Sequence, residues 1–267
     1  MHRILTLLLF ILGFSLNSES ITLRIPEPSE GGHEYFPRIL EEAFRTSGHI
    51  LTLKYIKIEN LSHTWELLAK DELDLAWFLP HTLIQNNFTL VNFNLTKGLG
   101  GHQVLLIPRG KKYQDPYSAV KNLSDFRNLG KIAGVLQNYR DSEIWKFNNL
   151  RTLEWPGSVK DLREGLSYLD SGFDYIPRSL LEASQEILKS PQLTVETDLV
   201  LIYPEDFRFA LSPNTSRWAP LILDSLQKAD RTGVINRLIN LEFRPQFENL
   251  SLQNRRKIFL KIPSDQD

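Results

Sequence analysis

Strand-like and helix-like segments alternate along this chain in two successive series, and that alternation restricts its folds more than any single motif does. Residues 21–25 read as a strand, and the turn chemistry of Pro26, Pro28, Gly31 and Gly32 stops it. Phe36, Ile39, Leu40, Ala43 and Phe44 then recur at helical spacing, with Pro37 in the first turn and Gly48 placed to cap the end. Residues 51–56 read as a second strand, 62–70 as a helix, and 73–77 as a short buried strand. Such alternation implies α/β architecture with helices on the faces of largely parallel sheets, whose ligands gather at the carboxyl ends of strands.

A strand over 88–93 leads to Gly98, Gly100 and Gly101, after which 104–107 is wholly apolar. Three glycines in four positions mark either a hairpin turn or a crossover between lobes. A second series begins at Leu123, with strands over 131–135, 150–153 and 173–176, a helix after Asp141, and another from Ser158. Ser158 and Asp161 have capping-box spacing, ahead of an apolar stripe of Val159, Leu162, Leu166 and Leu169. Strands over 199–203 and 207–211 precede two helices broken near Thr232 and Gly233.

The first twenty residues run from His2 and Arg3 through an apolar core at 4–16 to the small and polar Asn17, Ser18, Glu19 and Ser20. That order is a secretory signal, too short to span a bilayer, and cleavage is expected near Ser18 or Ser20. With no cysteine in the chain, disulfides, thiolate metal sites, a cysteine nucleophile and a lipidated cysteine anchor are all excluded. The expected location is therefore a periplasm, reached through the signal and without a lipid anchor. A net charge of −1 gives no pull toward nucleic acid.

No nucleophile elbow, phosphate-binding loop, dinucleotide fingerprint or H-E-x-x-H pair occurs. The histidines of the expected mature chain, at 33, 49, 63, 81 and 102, are scattered without metal-ligand spacing, so neither a metal nor another cofactor is expected. Three loops carry more information. Trp77, Phe78 and His81 follow a strand, the segment 136–141 holds Asn138 and Arg140 before a helix, and Pro177, Arg178 and Ser179 do the same for the next one. Helix N-termini and arginine forks both suit an acidic or carbonyl group.

The order of these elements, the run Leu123-Ser124-Asp125-Phe126 followed by Lys131-Ile132-Ala133-Gly134-Val135, and Phe173-Asp174-Tyr175-Ile176-Pro177-Arg178 resemble type II periplasmic binding proteins of the solute-binding family 3 kind. The stretch from Lys97 to Ile107 and the Phe-Asp-Tyr-Ile-Pro-Arg run with Glu182 are similar to a poorly characterised bacterial branch of it. The resemblance implies a two-lobed fold, mixed sheets flanked by helices, and two hinge strands near 101–107 and 199–209. Residues 1–20 would be the signal, 21–104 and 204–267 the first lobe, and 105–203 the second. It implies a monomeric, non-enzymatic protein that holds a small polar or acidic ligand in the interlobe cleft. A membrane permease of the ABC type would take the ligand up; a signalling receptor is the alternative partner, and a secreted hydrolase a third reading. The candidate ligand-binding residues are Glu27, Tyr35, Trp77, His81, Asn138, Arg140, Tyr175 and Arg178. Amino-acid-binding members grip the ligand carboxylate with an arginine shortly after the strand that here ends at Trp77; 78–88 contains none, which argues against an α-amino acid.

Overall fold

The computed structural model describes residues 18–28, 33–58, 63–80, 87–137, 139–168 and 171–263. The apolar core of the expected signal lies outside them. Strand β1 (Ser20–Pro26), helix α1 (Tyr35–Ser47) and strand β2 (Ile50–Ile56) form the first unit, with β1 and β2 parallel. Helix α1 buries Phe36, Ile39, Leu40, Ala43 and Phe44 on one face, as the spacing predicts, and Gly48 closes it at φ 81°. Helix α2 (Thr64–Ala69) leads to strand β3 (Leu75–Phe78), and Arg24 of β1 donates to the Asp74 carboxylate just before β3. The strand expected over 88–93 is only β4 (Thr89–Leu90).

Strand β5 (His102–Pro108) opens the second lobe. Helices α3 (Lys111–Ser118) and α4 (Leu123–Asn128), strand β6 (Ile132–Leu136), helix α5 (Arg140–Phe147), strand β7 (Arg151–Trp155) and helix α6 (Val159–Leu166) follow. The predicted capping box of Ser158 and Asp161 is formed in full at the start of α6. Strand β8 (Ile176–Ser179) runs three residues beyond the expected 173–176 and feeds helix α7 (Leu180–Leu188), then strands β9 (Leu193–Val195) and β10 (Leu199–Ile202). Strand β11 (Arg208–Leu211) returns to the first lobe, antiparallel between β3 and β4. Helices α8 (Ala219–Arg231) and α9 (Val234–Asn249), broken at Gly233, pack there, and strand β12 (Arg256–Phe259) ends the series.

The sheets are mixed. Strand β5 is antiparallel to β8, β9 and β10, whereas β6 and β7 pair in parallel. Because side chains alternate along a strand, Leu105 and Ile107 enter one core of the second lobe, and Val104 and Leu106 the other. One departure from the expected division concerns the end of the chain. Although α8 and α9 cover the first lobe, β12 lies parallel to β10 in the second-lobe sheet. Buried Arg255 fixes it there by donating to the carbonyls of Glu196, Leu199 and Leu250.

The glycine run is a crossover between lobes. Residues 95–101 pass from β4 to β5 directly against 203–207, which pass back from β10 to β11. Asp206 binds the two crossings together, accepting from the Gly98 N–H at 2.7 Å, the Thr96 N–H at 3.0 Å and the Thr96 hydroxyl. The contact is so close that a Cβ on Gly101 would stand 2.1 Å from the Tyr203 carbonyl oxygen, and one on Gly100 2.8 Å from Asp206. Gly101→Ala should therefore cost about 1–3 kcal/mol of stability through overpacking. Gly165→Ala, inside α6 with its nearest neighbour at 3.4 Å, should be close to neutral. Denaturant unfolding of the two variants checks the difference, and equal stabilities would remove the tight crossing as the reason for glycine.

Candidate functional site

The lobes meet at a cluster to which both contribute. From the first lobe, the end of β3 supplies Trp77, α1 and the residues before it supply Phe36 and His33, and the second crossing supplies Phe207. Phe36 stacks on Trp77 with ring centroids 5.2 Å apart, lies 5.0 Å from Phe207, and meets the His33 ring edge-on at 5.6 Å. The Trp77 indole donates to His33 Nδ1 at 2.9 Å. An indole N–H can only donate, so Nδ1 is the bare nitrogen and Nε2 carries the hydrogen. That Nε2 lies 2.7 Å from Glu182 Oε1 on α7, joining the two lobes.

Behind Glu182 stands an ion network of the second lobe. Arg178 donates through Nε to both oxygens of Glu186 at 2.9 Å, and through Nη2 to Glu182 Oε2 and Glu186 Oε1 at 2.6 Å each. Arg163 approaches Glu186 from α6 at 3.6 Å. Burial by itself would raise the Glu182 carboxyl, but Arg178 and the hydrogen bond from His33 hold it down at about 2. The Asp141 carboxyl, enclosed although its residue keeps some surface, goes the other way. Burial pushes it up to about 6 against the opposing pull of Arg178 and of a 3.0 Å bond from the Tyr203 hydroxyl. Tyr203 in turn accepts from Gln103 at 3.0 Å. A cavity of about 10 Å³ between Leu136, Tyr139, Asp141, Leu162, Pro177 and Arg178 has room for about one water molecule. A larger hollow lies on α9 between Arg237, Leu241, Arg244 and Glu248, and its walls come from that one helix.

Of the residues proposed from sequence, Trp77 and Arg178 come together here. Arg178, however, sits within β8 opposite Val104 and not in a loop, and the donors expected to meet a ligand acid are held by its own glutamates. Ser179 does cap α7, accepting from the Leu181 N–H. Arg140 is 7% exposed and bound to Glu205 and Glu143, so it too is neutralised within the chain. Tyr35 and Tyr175 are core residues: both are fully buried, Tyr35 donating to the Leu95 carbonyl at 2.6 Å and Tyr175 accepting from the Trp145 indole at 3.0 Å. Glu27 is exposed beyond β1, its N–H bound to the Ile56 carbonyl. His81 and Asn138 lie outside the described residues. Sequence reasoning missed His33, Phe36, Phe207 and the ligating role of Glu182 and Glu186. The 182, 186 spacing, which places both carboxylates on one helical face shortly after an arginine, was the available signal.

Among the described residues no cluster of three or more histidines and carboxylates could hold a metal, and no helix is long and apolar enough to cross a membrane. Neither a family model nor a curated relative matches the chain. Solved structures do. The amino acid ABC transporter substrate-binding protein AbpA of Streptococcus pneumoniae, bound to L-arginine, superposes with a TM-score of 0.58 at 13% identity over 84% of this chain and 95% of its own. An ancestral arginine-binding protein bound to arginine gives 0.56 at 13% identity over 83% and 98%. The fold is that of two-lobed solute-binding proteins. A structure concerning glutathione import via GshT and the cystine ABC importer TcyBC of Streptococcus mutans agrees, at 0.57 and 16% identity over 84% and 95%.

In this two-lobed framework Asp141 has a measurable signature. Its folded carboxyl titrates near 6, above its ordinary 3.8, so the fold favours the neutral form. Stability from this group is complete below the ordinary value and is lost as pH rises through about 6, by at most about 3 kcal/mol for about 2 pH units. Asp141→Asn, which stays neutral and can still accept from Tyr203, should gain on the wild type between pH 4 and pH 7. Parallel unfolding curves at both pH values test this, and an unchanged difference would show that Asp141 is not forced toward neutrality.

Proposed function

We propose that this chain is an exported solute-binding protein that captures a small polar ligand between its lobes and presents the closed form to an ABC-type permease. The observation that carries the reading is the cluster built from both sides of the cleft, with Trp77, Phe36 and His33 on one lobe and Glu182 and Arg178 on the other. A ligand inserted there would touch both lobes and so favour closure. The first lobe would comprise 21–104 and the segment from 204 through α9, and the second 105–203 together with β12. The signal at 1–20 would deliver the protein to a periplasm.

An acidic ligand, which the arginine fork of Arg178 would suit, fits this cleft less well. It would have to displace Glu182 or Glu186 from a desolvated arginine, and removing one partner of such a pair is costly. Binding is favoured over catalysis because, among the described residues, the charged groups of the cleft are bound to one another.

The test joins a thermal-shift screen of metabolites to small-angle scattering. A true ligand at about 100 times its dissociation constant should add about 2.7 kcal/mol of stability. The same compound should lower the radius of gyration. A compound that stabilises without changing the scattering profile would count against capture by lobe closure.

A further inference from the structure

The hydrogen bonds of His33 describe a small binding site in reverse. Trp77 on β3 offers one N–H, and Glu182 on α7 offers a carboxylate oxygen held ionised by Arg178. Phe36, Phe207 and Trp77 provide ring contacts about the space between them, with His33 centroids 5.6, 6.4 and 6.1 Å away. The donor and the acceptor are far enough apart to be satisfied together by the two nitrogens of one five-membered ring, separated by a single carbon. An unsatisfied indole N–H or carboxylate oxygen in so enclosed a place is costly, so a group replacing His33 must meet both.

We infer that this pocket recognises a planar nitrogen heteroaromatic compound, one presenting a ring N–H to Glu182 and a bare ring nitrogen to Trp77, and that His33 is its built-in occupant. The inference rests on the solute-binding reading and names the ligand class for it. A guanidinium or ammonium head would satisfy Glu182 but offers no acceptor to Trp77. A carboxylate would satisfy Trp77 but stand against Glu182. A carboxamide or a heteroaromatic ring does both, and only the ring gains edge-to-face and stacking contacts with the three aromatic rings. His33 precedes α1 and keeps 15% of its side chain exposed, so the place it fills borders solvent.

His33→Ala removes the occupant, and the probe is free 4-methylimidazole in alkaline buffer, where it is neutral. Titration calorimetry should show at least tenfold tighter binding to His33→Ala than to the wild type. Pyrazole, of equal size but with adjacent nitrogens, and methylguanidinium, with donors only, should each bind at least tenfold more weakly than 4-methylimidazole. Adding Trp77→Phe to the variant should remove most of the gain. His33→Ser, whose short side chain cannot span both partners, provides a second vacated site should His33→Ala fail to melt cooperatively. Equal affinity of 4-methylimidazole for variant and wild type would overturn the inference, as would equal binding of pyrazole or methylguanidinium. The screen separates the two readings: a metabolite without such a ring that closes the lobes through this pocket removes the ligand class and leaves solute binding. If no metabolite closes the lobes while rescue by 4-methylimidazole succeeds, solute capture falls and the pocket's preference stands.

Discussion

Arg178 is a guanidinium with only 12% of its side chain exposed, and the cleft is organised around its neutralisation. Leaving such a charge unpaired inside a protein costs several kcal/mol, so its partners are dictated. They are supplied by the next helix at the fourth and eighth positions beyond it, Glu182 and Glu186, which sets the face that α7 turns toward β8. Two carboxylates about one guanidinium leave an excess of negative charge, and Arg163 offsets part of it from α6. The remaining hydrogen-bonding capacity of Glu182 points out of the second lobe, and the first lobe answers it with His33.

The connection between the lobes obeys a different constraint. Two chain crossings lie close enough for Tyr203 N–H to bond the Gly101 carbonyl at 3.1 Å, and the polar groups of that contact must be satisfied inside. Asp206 does this with several donors from the opposite crossing, although burial raises its own carboxyl. The two crossings are thus tied to each other at the Asp206 contact.

Much of this was legible in the sequence. The apolar stripe of α1, the Gly48 cap and the Ser158 capping box are local signals, decided by neighbours a turn away, and the structure forms each of them. The glycine run left a hairpin turn and a crossover both open, since its partner, Tyr203, lies about a hundred residues further on. Strand ends were less legible: β8 extends through Pro177 and Arg178 because β5 accepts it as an antiparallel neighbour, a tertiary fact. The site was half legible for the same reason. Trp77 and Arg178 stand at strand ends where ligands gather, but nothing local shows that Arg178 is neutralised, that Tyr35 and Tyr175 turn inward, or that His33 reaches α7.

The bond between His33 and Glu182 also determines how strongly the cleft can respond. A hydrogen bond to a charged group contributes about 1.5–3 kcal/mol net, so under the proposed capture by lobe closure this contact alone would bias the lobes toward closure by only about one to two orders of magnitude. A ligand shifts that balance only by the difference between its interactions in the closed and open forms. One that merely replaced His33 with another neutral N–H would gain little over the built-in contact. It must add contact area against Phe36, Trp77 and Phe207, or reach donors and acceptors beyond the ring such as Tyr139 and Asp141 beside the small second-lobe cavity. His33 therefore acts as a threshold, admitting ligands with more to offer than an imidazole while keeping a charged carboxylate and an indole N–H satisfied in their absence.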